Sequence, residues 1–195
     1  MARKTAKETV LASVTPIIQR ARREQSRADG SREQALLCYR MALAALAVIA
    51  GDTSPVNDRC WSTIAQVHFE LAELLCLARD LPTAANHYEA SRQISEAAEG
   101  SHSQLHARRC ADLAHCYALL DRLCLAASMA RKSLSAACEL GDEANSVRLE
   151  AFRILHSVER RQGHDQAARI TWKHCLELSA KVTGVDINQF ATAAA

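Results

Sequence analysis

Apolar residues return every three or four positions through almost the whole chain, as in Leu71, Leu74, Leu75 and Ala78, and no stretch sustains the alternation of a half-buried strand. The pattern predicts helices alone. Gly30, Gly51, Gly100, Gly141, Gly163 and Gly184 each follow such a segment, where a residue free to adopt positive φ closes a helix. Ser31 with Gln34 forms a capping-box candidate, Asp142 is placed to cap the segment after Gly141, and Asp80 precedes Leu81-Pro82, where proline is tolerated in a first turn. Gly51 to Asp58, with Pro55, reads as an exposed loop, and Pro16 should kink or delay the first helix. Helices are predicted near 5–28, 31–50, 57–79, 81–99, 102–120, 122–140, 143–162 and 164–182, with a tail over 185–195.

The helices repeat. Leu71-Ala72, Leu113-Ala114 and Leu155-His156 recur at an interval of 42 residues, as do Ala84, Ala126 and Ala168. Four residues after those alanines stand Tyr88, Ala130 and Trp172, and seven after them the small residues Ser91, Ser133 and Cys175. An earlier copy, Gly30, Ala35, Tyr39, Ala42 and Leu43, is displaced by 49 because the loop before Asp58 adds seven residues. A small side chain early in each second helix lets it cross the first closely, and a large one a turn later fills the space beyond. One pair cannot bury its own apolar face, so neighbouring pairs must supply the core.

The pattern Gly30-x4-Ala35-x3-Tyr39-x2-Ala42-Leu43 resembles the second half of a tetratricopeptide repeat (TPR), as does Gly163-x4-Ala168-x3-Trp172-x2-Cys175-Leu176. The first-helix half is matched at Leu71-Ala72 and at Leu113-Ala114 with Tyr117, so the resemblance spans roughly residues 17–182. Arg22-Arg23 replace the usual Leu-Gly of the first copy, His156 takes the small position of the last, and Ala130 replaces an aromatic. The 42-residue period exceeds the usual 34 and looks like that of the long-helix members, such as kinesin light chains and related bacterial regulators.

The resemblance implies an all-α, right-handed superhelix of four antiparallel helix pairs, a TPR-like α-solenoid. It is expected to form one domain over 1–184, with pairs near 5–50, 57–99, 102–140 and 143–182. It also implies that the first helices line a concave groove for an extended or helical peptide. By register that groove presents Gln66, Phe69, Glu73 and Leu77, then Arg108, Ala111, His115 and Leu119, then Glu150, Arg153, Ser157 and Arg160. Some members clamp a chaperone's C-terminal carboxylate with Lys, Asn and Arg. Arg20 and Arg108 mimic two of those cations, but Glu24, Glu70 and Asp112 stand where asparagine or a further cation belongs, so an acidic tail meets repulsion.

Composition narrows the picture. The 195 residues are 49% apolar, 4% aromatic and 24% charged, with net charge +2, which excludes a disordered chain and gives no broad attraction to nucleic acid or a membrane. The most apolar run, Met41 to Ala50, is half of a bilayer span, and the basic start lacks a secretory apolar segment. Glu8 and Glu24 interrupt the composition of a transit peptide, and the expected location is the cytoplasm. Eight dispersed cysteines with no C-x-x-C pair read as reduced, mostly packed thiols.

His102, His106 and Cys110 form one helical stripe that could present ligands to a metal, with His68 or His115 as a fourth. Nothing in the spacing demands a metal, and none is assigned. The adjacent pairs His115-Cys116 and His174-Cys175 point about 100° apart on a helix and are not set for thiolate chemistry. Nucleophile-elbow, zinc-protease, dinucleotide and P-loop patterns are missing, so no enzyme and no cofactor is expected. Arg20, Arg22, Arg23 and Arg27 give a basic face, and Arg148, Arg153, Arg160 and Arg161 a second, but neighbouring Glu24, Glu150 and Glu159 favour intrahelical pairing over nucleic acid. The expected function is a non-catalytic adaptor or chaperone-like module that binds a segment of another protein. A bacterial secretion chaperone and a nucleic-acid-contacting regulatory domain are the alternatives. Self-association through exposed terminal faces stays open.

Overall fold

The computed structural model describes residues 2–27, 31–50 and 59–183. Among them stand eight α-helices and no strand: α1 (Ala2–Ser26), α2 (Arg32–Ala50), α3 (Arg59–Leu77), α4 (Leu81–Glu99), α5 (Gln104–Leu119), α6 (Leu123–Glu139), α7 (Asn145–Arg161) and α8 (Asp165–Thr183). The chain divides into two compact units, Met1–Gly100 and Ser101–Ala195. In the first, α1 packs on α2, α3 on α4, and α2 on α3; in the second, α5 packs on α6, α7 on α8, and both α5 and α6 on α7.

Three turns within pairs share one geometry at the 42-residue interval. The amides of Asp80, Arg122 and His164 reach back to the carbonyls of Leu75, Tyr117 and Glu159, and those of Arg79, Asp121 and Gly163 to Cys76, Ala118 and Arg160. Both bonds together close the last turn of a helix through one left-handed residue. Glycine provides that residue only in the last pair, with φ 75° at Gly163; Arg79 and Asp121 take φ 65° and 60° in the other two. Glycine spacing therefore marked one of these three turns, and backbone bonding carries the others.

A second repeated device joins the helices of a pair. The Ser91 hydroxyl donates to the Ala65 carbonyl at 2.7 Å, and the Ser133 hydroxyl to the Ala107 carbonyl at 2.7 Å, both fully buried. These residues are small because helix meets helix backbone there, and the hydroxyl finds an acceptor at that close approach. In the last pair the equivalent Cys175 packs instead with Leu149 and Leu178. The cores are otherwise largely apolar, with Val14, Tyr39, Leu46, Val67 and Leu71 wholly buried in the first unit and Cys110, Leu113, Cys116 and Val158 in the second, while Ser95, His106, Arg109, Glu159 and Thr171 are buried polar exceptions.

Capping follows the expectation at Ser31, whose hydroxyl accepts from Gln34 N, and at Asp80, which accepts from Thr83 N at 3.3 Å. Two local expectations are corrected. Helix α1 runs through Pro16 without a delayed start, with the Ser13 and Thr15 hydroxyls bonded to the carbonyls of Val10 and Leu11 beside it. Asp142 sits in a 3-10 turn, Gly141–Ala144, and accepts from the Asn145 side chain rather than capping α7 through its backbone. Gly30, Gly51, Gly184, the loop over 51–58 and the tail over 185–195 lie outside the described residues.

Candidate functional site

In the second unit the first helices of two successive pairs, α5 and α7, pack on each other and leave a cleft of about 680 Å³ between them. Its walls are Gln104, Leu105, Arg108, Ala111 and Asp112 from α5, and Ser146, Val147 and Glu150 from α7. Spacing of three and four residues puts each set on one helical face. The opposite face of α5 is fixed by buried Ala107, Cys110, Leu113 and Ala114, and its start is capped by Ser103, which accepts from His106 N at 3.1 Å. The cleft thus belongs to rigid helices. It combines apolar surface from Leu105, Ala111 and Val147 with charge from Arg108, Asp112 and Glu150.

Asp112 is its least satisfied group. Its Oδ2 is buried without a hydrogen-bond partner, and the nearest guanidinium nitrogen, Arg108 Nε, stands 4.0 Å away. That is beyond hydrogen-bonding distance. Burial pushes the Asp112 carboxyl up to about 6; Arg108 and His115 oppose the rise, and Glu150 adds to it.

The sequence-predicted groove residues distribute unevenly. Arg108, Ala111 and Glu150 meet in this cleft. His115 and Leu119 are exposed farther along α5, and Arg153 and Ser157 are exposed on α7. Arg160 lines a separate cleft of about 550 Å³ with His156, Asp165, Ala168, Arg169 and the half-exposed Trp172. In the first unit Gln66 donates to Glu70 at 2.8 Å, Phe69 is buried edge-on to Tyr88 at 5.6 Å, Glu73 is half-buried, and Leu77 is exposed. Sequence reasoning did not select Gln104, Leu105, Ser146 or Val147, and it named Asp112 only as a mismatch to the carboxylate clamp. The signal for Asp112 was its place one turn beyond Arg108 on the same face.

The histidine stripe separates. His102 is exposed and bonds Glu139 at 2.8 Å, while His106 and Cys110 are buried 3.4 Å apart. His68 bonds His87 between their Nδ1 atoms at 2.8 Å. Burial first, then His87, holds His68 down at about 4; burial and Arg40 lower His87, against Asp80. Among the described residues no three His, Cys, Asp or Glu side chains converge as a metal site would require. None of the cysteines forms a disulfide; Cys38, Cys60, Cys110, Cys116 and Cys175 are buried and Cys124 and Cys138 exposed. The basic face of α1 is partly neutralised: Arg22 bonds Glu70, Arg27 lies 3.8 Å from Glu24, and Arg20 and Arg23 share a cleft with Glu24. Among the described residues no helix is long and apolar enough to cross a membrane.

No protein-family model and no curated protein matches the sequence. Solved structures do match the fold. BtubC (BKLC) from P. vanneervenii aligns with a TM-score of 0.59 at 15% identity, over 93% of this chain and 77% of that one. A Podosopora anserina protein reported as kinesin light chain-like, with nearly identical TPR-like repeats, aligns at 0.55 and 13% identity over 93% of both chains, and a point variant of that protein at 0.57 and 14%. The chain therefore has a TPR-like, all-α helical-repeat fold.

Proposed function

We propose that the chain is a non-catalytic interaction module that holds a segment of a partner protein against α5 and α7. A TPR-like repeat fold is a fold of protein-interaction modules. The observation that carries the proposal is the cleft itself: Arg108, Ala111 and Glu150, separated by up to 42 residues, meet in a rigid, solvent-open recess with both apolar and charged walls. Such a recess suits a few side-chain anchors, with charge setting register. We place the protein in the cytoplasm, where eight cysteines outside any disulfide stay reduced. The nucleic-acid alternative loses support because the Arg22 guanidinium is already engaged by Glu70. The secretion-chaperone alternative gains no specific observation.

Photo-cross-linking from Ser146 tests the proposal, with Lys132 on the exposed outer side of α6 as the control position. Adducts from Ser146 that map to one contiguous segment of one protein, and fall away in Glu150→Arg, are the expected result. Adducts equal at both positions, or insensitive to Glu150→Arg, overturn it.

A further inference from the structure

Glu70 and Asp112 occupy the same register position, 42 residues apart, each one turn after a polar residue, Gln66 or Arg108. Their environments differ in partners and in exposure. The Glu70 carboxylate receives Gln66 at 2.8 Å and the Arg22 guanidinium, whose Nε lies 3.0 Å from Oε2 and 3.1 Å from Oε1. The protein thereby shows what this position holds when it is filled: a guanidinium delivered from a neighbouring helix. Asp112 receives no such group. Its Oδ2 is buried without a hydrogen-bond partner, its side chain remains 34% exposed, and it forms a wall of the α5–α7 cleft opposite Glu150.

We propose that the α5–α7 cleft takes an arginine side chain from the partner segment, with Asp112 receiving the guanidinium and Glu150 adding negative charge from α7. This rests on the interaction-module reading and names the chemistry of its anchor. A planar guanidinium donates in parallel to both oxygens of one carboxylate, as Arg22 does to Glu70, whereas an ammonium acts as a point charge. The incoming cation offsets the desolvation that now holds the Asp112 carboxyl up at about 6, so binding and deprotonation of Asp112 are linked. The stem of the arginine lies along Leu105 and Val147, which accept its methylenes. Arg108, 4.0 Å from Asp112, is exposed and turns outward as the ligand enters.

The full chain, labelled with ¹⁵N and with ¹³C at aspartate carboxyls, is titrated with a capped Ala/Ser nonapeptide carrying a central arginine. The citrulline and glutamate counterparts are run beside it. Saturable shifts at amides of 104–112 and 146–150, an affinity for arginine about tenfold or more above citrulline, and a fall in the Asp112 midpoint on binding are expected. Asp112→Asn, which preserves shape, and Glu150→Gln should each shrink the arginine preference, Asp112→Asn removing it. Equal binding of citrulline, an arginine preference that survives Asp112→Asn, or no saturable binding overturns the site. Stronger binding of the glutamate peptide also overturns it. Cross-linking from Ser146 reads the wider function separately, so adducts there without an arginine preference leave the module and remove only its proposed anchor.

Discussion

In the first unit the register position at Glu70 ties two first helices together, because Arg22 on α1 closes over the Glu70 carboxylate on α3. In the second unit the same position, Asp112, is shorter by one methylene, lacks that guanidinium and stands in an open cleft toward α7. A repeat lets one position be fastened in one copy and left open to a cleft in another. The choice depends on whether a neighbouring helix brings the counter-charge.

The sharpest way to break this contrast is to remove each carboxylate. Glu70→Ala should cost about 2 kcal/mol, since it deletes charge-assisted hydrogen bonds to Arg22 and Gln66 at a buried group. Asp112→Ala should cost no more than about 0.5 kcal/mol, because no hydrogen bond is lost there. Urea midpoints of the two variants measure this, and equal losses would dissolve the comparison. Next come the hydroxyl fastenings that the units share. Ser91→Ala and Ser133→Ala should each cost about 1 kcal/mol, and Cys175→Ser should be tolerated if its hydroxyl finds the carbonyl that its two equivalents use.

The turns offer a smaller effect with a difference between units. Arg79→Gly should gain up to about 1 kcal/mol by relieving a left-handed backbone. Asp121→Gly should gain less, because Arg161 then loses the Asp121 carboxylate it holds at 2.7 Å. Thermal midpoints would show the order.

The smallest effect is on pH and has opposite signs in the two units. His68 is held neutral in the fold, so its contribution is whole above its ordinary value of 6.5 and is lost as pH falls toward about 4. The protonated form of Asp112 is the favoured one, so its contribution is whole below 3.8 and is lost as pH rises through about 6. Thermal scans from pH 3.5 to 7.5 should show His68→Asn flattening the acid loss and Asp112→Asn raising the midpoint only at the neutral end.

Much of the fold was legible because helical periodicity is a property of neighbouring residues and the 42-residue recurrence can be counted along the chain. Leu71, Leu113 and Leu155 marked first helices, and Ser91 and Ser133 marked close crossings, with boundaries that agree to within a few residues. Arg79 and Asp121 were not legible as turn residues, because their backbone is held by hydrogen bonds that side-chain type does not announce. The site was legible in part. Register placed Arg108, Ala111 and Glu150 on the first helices, yet it also selected Phe69, whose ring the fold buries against Tyr88.

The sequence by itself determined the helices, their pairing and the interval at which they return, because helices form from contacts a few residues apart, short turns bring consecutive helices together, and the interval is a count along the chain. Only the tertiary structure decided which carboxylate is satisfied. Arg22 meets Glu70 across 48 residues while the Oδ2 of Asp112 is buried without a donor, and neither fact exists until the packed helices fix the distances between groups remote in the chain.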